Sequence, residues 1–124
     1  MSKETTSSND KKVFDLEERT ARFGEEIVIF AKSLPKDQIN GVLLGQIVRS
    51  GTSIGANYME ADGAESRKDF YHKIGICKKE SKETKHWLRM IAIAVPEKKT
   101  ECRRLWQEVQ ELVLIFSSII SKRG

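Results

Sequence analysis

Between Phe70 and Val95 the chain repeats one spacing without a break: Phe70, Ile74, Cys77, Ser81, Thr84, Leu88, Ile91 and Val95 follow alternating steps of four and three residues. Such steps bring side chains onto one face of an α-helix, whereas a strand would need a period of two. A seam of this kind has to be covered by other helices, because an isolated helix cannot bury one apolar face by itself. The segment therefore predicts an all-α architecture.

Three further stripes use the same spacing. Leu16, Thr20, Phe23, Ile27, Phe30 and Leu34 form the first, which Pro35 stops by its missing N–H and its ring. Leu43, Ile47, Ser50, Ile54, Asn57 and Ala61 form the second, with Asp37 as N-cap and Gly63 as stop. The long stripe comes third, after a capping box of Ser66 and Asp69. Pro96 takes Val95 out of the α conformation and predicts a turn. Leu105, Val109, Leu112, Phe116 and Ile119 complete a fourth helix beginning near Pro96 or Thr100. Short connections cannot carry a chain back along rods of about 30–45 Å, so consecutive helices must be antiparallel. The expected fold is an up-down-up-down four-helix bundle over residues 16–124. Residues 1–15, rich in Ser, Thr, Lys, Asn and Asp without an apolar period, are read as a flexible arm outside the core.

The second helix carries Gly41, Gly45, Ser50, Gly51, Ser53, Gly55 and Ala56. Each interior glycine costs a helix about 1 kcal/mol. A thin helix that lets backbones approach closely, inside the bundle or between subunits, offsets that cost.

A chain of 124 residues suffices for one core without disulfides or metal. Cys77 and Cys102 lie 25 positions apart, match no paired spacing and follow no signal-peptide pattern, so two reduced thiols and a cytoplasmic location are expected. The longest apolar-looking run, Leu88 to Val95, contains Arg89 and falls far short of the ~20 residues that span a bilayer. No membrane association is expected.

Charge is distributed unevenly. Residues 66–95 hold eight basic and three acidic side chains, whereas residues 1–65 hold eight and eleven. Lys78, Lys82, Lys85 and Arg89 follow 4-3-4 spacing, about 100° round the third helix from its seam, with Lys79 beside them. Together with Arg49 these six form a candidate nucleic-acid-binding set, since a cationic face suits a phosphate backbone. A solvated face partly neutralised by neighbouring Glu is the simpler alternative. Asn57, Glu60, Glu80 and Glu83 lie at or near seam edges with Ser50, Ser81 and Thr84. Buried polar groups need partners, so these residues predict a structural polar network that includes Arg49 or Trp87.

Glu83 and His86 have the Glu-x-x-His spacing of di-iron bundles, but such a site needs two such pairs and two more Glu, and His72 lies ~21 Å away along a helix. No metal, cofactor or catalytic site is expected. The glycines match neither phosphate-loop spacing. Tyr71, Trp87, Trp106, Val113 and Ile120 lie beside the main seams, and the last three repeat every seven residues. This second stripe either widens the core or meets another subunit, and we expect the latter.

The run QIVRSGTSIGANYMEADGAESRKDFYHKIGICKKESKETKHWL resembles the four-helix bundle family first noted in open reading frames of intervening sequences within bacterial 23S ribosomal RNA genes. The likeness extends from about Phe23 to Ile120. It is carried by Arg49 with Ser50, Ser53 to Asn57 with Glu60, Ser66 with Asp69 and Phe70, Lys79-Glu80, Glu83-Thr84 and Trp87-Leu88. The resemblance implies a ring-like homo-oligomer, a barrel-shaped homopentamer. It also implies similarity to the accessory protein of diversity-generating retroelements, which binds nucleic acid and a reverse transcriptase. No firmly established activity comes with the resemblance. The resulting expectation is a non-enzymatic oligomer presenting a basic surface to RNA or DNA. The alternative is a scaffold that grips an acidic protein partner such as a polymerase or a ribosomal factor.

Overall fold

A computed structural model of the protein describes residues 16–123, and the segment read as an arm lies outside that range. Four helices follow in order: α1 Leu16–Lys32, α2 Gln38–Asp62, α3 Arg67–Ala94 and α4 Lys99–Ser121, the last preceded by a 3-10 turn at Pro96–Lys98. No strand occurs among the described residues. Consecutive helices pack antiparallel along their lengths, while α1 and α4 meet over a shorter stretch.

The boundaries follow from local chemistry. Pro35 lies beyond the end of α1, and the carboxylate of Asp37 accepts the Asn40 N–H at 2.8 Å to open α2. Asn40 itself, a residue the apolar pattern gave no reason to notice, is buried and donates to the Pro35 carbonyl at 3.0 Å and to the second Asp37 oxygen at 3.2 Å. It locks the α1–α2 turn. Gly63 ends α2 at an ordinary negative φ of −97°, so no left-handed cap is involved. Ser66 Oγ accepts the Asp69 N–H at 3.1 Å at the start of α3. Val95 sits at φ −132°, ψ 75°, outside the helical region as a residue before proline must.

The four seams converge on one core. Phe23, Ile27, Ile47, Ile54, Ile74, Leu88, Leu105 and Phe116 are all sealed from solvent, and each such side chain contributes about 1.5–3 kcal/mol relative to exposure. The hydroxyls within the seam are satisfied locally. Ser81 and Thr84 donate to the carbonyls of Cys77 and Glu80 one turn back, both at 2.8 Å, and Thr84 also meets Ser50 across the α2–α3 contact at 2.9 Å.

Two expectations become more specific. Trp106 and Ile120 pack, partly buried, against the core of the same chain and Val113 is buried, so this stripe widens the core. The large apolar side chains that remain exposed lie elsewhere, among them Val28, Ile29, Val42, Met59 and Ile93. The glycines of α2 also divide. A Cβ on Gly51 would fall 2.9 Å from Ile27 Cγ1 and one on Gly55 would fall 3.3 Å from the Thr20 backbone, so both permit the close α1–α2 approach. Gly24 of α1 contributes to the same contact, facing Thr52 at 3.5 Å. Around Gly41 and Gly45 there is open space, and close packing within the chain does not explain them.

Candidate nucleic-acid interface

The charged side chains of α3 separate onto its two flanks. On the flank toward α2, the Arg49 guanidinium donates to Glu80 at 3.1 Å and to Glu83, and Glu83 also accepts the Trp87 indole N–H at 3.1 Å. Glu80 is only 8% exposed, so Arg49 supplies the cation its buried carboxylate requires. The indole N–H, then the guanidinium, hold the Glu83 carboxyl below the usual carboxylate range, and Glu83 in turn raises Arg49 above its ordinary value. Glu60 lies apart from this cluster and pairs with Lys73 at 2.6 Å, and Asn57 donates to the Ser53 carbonyl of its own helix at 2.9 Å. The four residues read as one network thus fall into a two-carboxylate clamp on Arg49 and two separate contacts.

The opposite flank runs beside α4. Lys82 and Arg89 are exposed there and Lys78 is half-buried, whereas the exposed Lys79 lies on the outer face one turn before Glu83 and helps to lower that carboxyl; none of the four has an ion pair with a described residue. Lys85 differs. Its ammonium turns onto α4, donating to Gln110 Oε1 and lying 4.7 Å from the centre of the Trp106 ring, so it is engaged within the bundle. At the N-terminal end of α3 the guanidinium groups of Arg67 and Arg123 both approach Tyr71, at 5.8 and 5.7 Å from the ring centre. Cationic groups therefore recur from Arg67 to Arg89, about 33 Å along the helix. Arg49, also assigned to phosphate contact from the sequence, is on the other flank and bound by two carboxylates.

Between α3 and α4, near the Pro96 turn, a cleft of about 370 Å³ is lined by Leu88, Ala92, Cys102, Trp106 and Gln107. Its rim carries Arg89 and two cations of α4 that the sequence reading passed over, Lys99 and Arg103. The missed signal was the 4-3 spacing of Lys99, Arg103 and Trp106. A cleft of about 310 Å³ between α1 and α4 has the opposite electrostatics. There Arg19 grips Glu108 with two bonds of 2.7 and 2.9 Å and reaches Glu111 at 2.8 Å, while Arg104 meets Glu26 at 3.2 Å. Its charges satisfy one another.

The remaining chemistry-bearing groups are inert or scattered. Burial pushes the Cys77 thiol up to about 12 and the Cys102 thiol up to about 11. His72 and His86 are exposed, and His86 meets Trp87 edge-on at 4.9 Å. Among the described residues no three His, Cys, Asp or Glu side chains converge on a metal position, and no helix is long and apolar enough to cross a membrane.

A family model described as 23S rRNA-intervening sequence protein matches residues 12–118. The chain belongs to this family. A protein of unknown function from the S23 ribosomal protein family of Bacteroides thetaiotaomicron VPI-5482, solved in a crystal at 1.70 Å, shares 35% identity and superimposes with a TM-score of 0.78 over 85% of this chain and 97% of that one. No curated protein matches the chain. Membership of the 23S rRNA-intervening sequence protein family agrees with the four helices and assigns no activity.

Proposed function

We propose that the protein is a non-enzymatic, cytoplasmic homo-oligomer whose α3 face binds the phosphate backbone of RNA or DNA. The observation that carries this reading is the row of Lys78, Lys82 and Arg89, without a carboxylate partner among the described residues while the nearby Arg49 is neutralised twice over; Lys79 stands on the outer face beside it, one turn from Glu83. A cation already held by carboxylates gains little from a phosphate, whereas a solvated one releases counterions from the nucleic acid when it binds. Assembly into a ring, a pentamer by resemblance to the family, would repeat the face around an axis and multiply a weak contact by avidity. The apolar side chains left uncovered along α1 and α2, Val28, Val42 and Met59, support self-association.

The test is a binding titration of the full chain against structured RNA, single-stranded DNA and duplex DNA at several salt concentrations. With three such cations per subunit, log K is expected to fall with log salt at a slope of about −2.5 per bound chain. Affinity that ignores salt, or no affinity for any of the three, overturns the proposal. Sedimentation equilibrium tests the assembly, and a monomer at micromolar concentration overturns that part.

A further inference from the structure

Resting on the backbone-binding reading, we infer that the α3–α4 cleft accepts one unpaired base of a single-stranded nucleic acid, with the flanking phosphates on Arg89, Lys99 and Arg103. Three features of the cleft support this. Its floor and wall are apolar and aromatic, formed by Leu88, Ala92, Cys102 and the half-buried Trp106. Its rim is cationic without a carboxylate, which distinguishes it from the α1–α4 cleft, where Arg19 and Arg104 are paired with Glu. A volume of about 370 Å³ lies at the small end of ligand sites, which start near ~300 Å³, and suits a single nucleotide unit better than a longer segment.

Position adds a further argument. Arg89 belongs both to the α3 row and to the rim, so a strand following Lys78 and Lys82 arrives at the cleft without leaving the cationic face. Single-strand binders combine these two elements, a basic track for the backbone and an aromatic wall for a base. Bases within a duplex are held in the stack and would have to be extruded at a cost before entering. The arrangement therefore discriminates by strandedness, which the α3 row alone does not.

The test measures fluorescence anisotropy of a labelled 12-nucleotide single strand and of the duplex of the same sequence at matched salt, using the full chain. The wild type is expected to bind the single strand at least tenfold more tightly. Ala92→Leu fills the cleft with a good helix former while leaving every charge in place, and is expected to abolish that preference without weakening duplex binding. Arg103→Gln, at an exposed position that leaves the core intact, is expected to weaken the single strand about fivefold and the duplex less. Quenching of tryptophan emission by the single strand, absent in Ala92→Leu and retained in Trp87→Phe, reports contact with Trp106. Equal binding of both strands by the wild type, or a preference that survives Ala92→Leu, overturns the cleft assignment and leaves the backbone proposal standing. Loss of salt-sensitive binding to both overturns the two together. An acidic, aromatic-containing peptide that binds the cleft more tightly than the single strand overturns the base assignment as well.

Discussion

Gly51 of α2 lies directly against Ile27 of α1, so close that a Cβ on the glycine would stand 2.9, 3.0 and 3.3 Å from Cγ1, Cγ2 and Cβ of the isoleucine. Those atoms belong to a β-branched side chain that is itself fully buried, with one preferred rotamer in a helix. The contact cannot relax at the tip of a flexible chain.

Gly51→Ala is therefore expected to destabilise the protein. Overpacking costs about 1–3 kcal/mol and the gain in helix propensity returns about 1 kcal/mol, leaving a net loss of up to about 2 kcal/mol in urea unfolding. Gly75→Ala on α3 meets nothing within 4 Å and is expected to raise stability by up to about 1 kcal/mol. Equal effects of the two substitutions would contradict the close α1–α2 contact.

The clamp on Arg49 sets a second expectation. Arg49→Ala leaves the buried Glu80 carboxylate without its cation, a loss of about 1–3 kcal/mol by the same measurement. Glu83→Gln is expected to cost less than about 1 kcal/mol, because that carboxylate keeps contact with water.

The pH dependence follows from the lowered Glu83 carboxyl. Its contribution is complete above the unfolded value near 4.3 and disappears as the pH falls through the lower folded value. The urea midpoint of the wild type should fall more steeply between pH 5 and pH 3 than that of Glu83→Gln. Parallel curves would exclude the contribution.

The thiols give an alkaline counterpart. Cys77, whose sulfur lies 3.6 Å from the Ile54 carbonyl oxygen, keeps its proton to about 12 in the folded chain and Cys102 keeps its to about 11, while the unfolded chain releases both near 8.5. Above that value the unfolded state binds fewer protons, so stability declines as pH rises. Cys77→Ala is expected to flatten the decline between pH 9 and 11. At pH 8 a thiol reagent should label neither cysteine until urea unfolds the protein.

Binding variants separate the two flanks of α3. Lys78→Gln and Lys82→Gln are each expected to reduce the salt slope by about 1 with nucleic acid of any sequence, whereas Arg49→Gln leaves it unchanged. A loss at Arg49 equal to that at Lys82 would show that the carboxylate clamp opens on binding.

Helix positions, caps and the buried seam were legible in the residues because they rest on local rules. The four-three spacing puts Ile74, Cys77, Ser81 and Thr84 on one face whatever packs there, and Pro35, Ser66 and Pro96 act within one turn of themselves. Asn40 escaped notice because its partners, Asp37 and Pro35, form a turn and not a periodic face. The Trp106, Val113 and Ile120 stripe was visible, but whether it met its own core or another surface depended on how far α3 and α4 rotate toward each other.

Charge shows the division most clearly. Arg49, Lys82 and Lys85 carry the same formal charge; the carboxylates at the seam edge pointed to Arg49 or Trp87 as a partner, but nothing in the order of the chain distinguishes the engaged Lys85 from the free Lys82. Folding brings Glu80 and Glu83 to Arg49 and sets Gln110 and Trp106 beside Lys85, while Lys82 has no carboxylate partner among the described residues. The sequence by itself determined the helices and their apolar faces, because periodicity depends only on neighbours three or four residues away. Only the tertiary structure decided which cations remain available and which glycines touch a neighbour, because those partners come from helices distant in the chain.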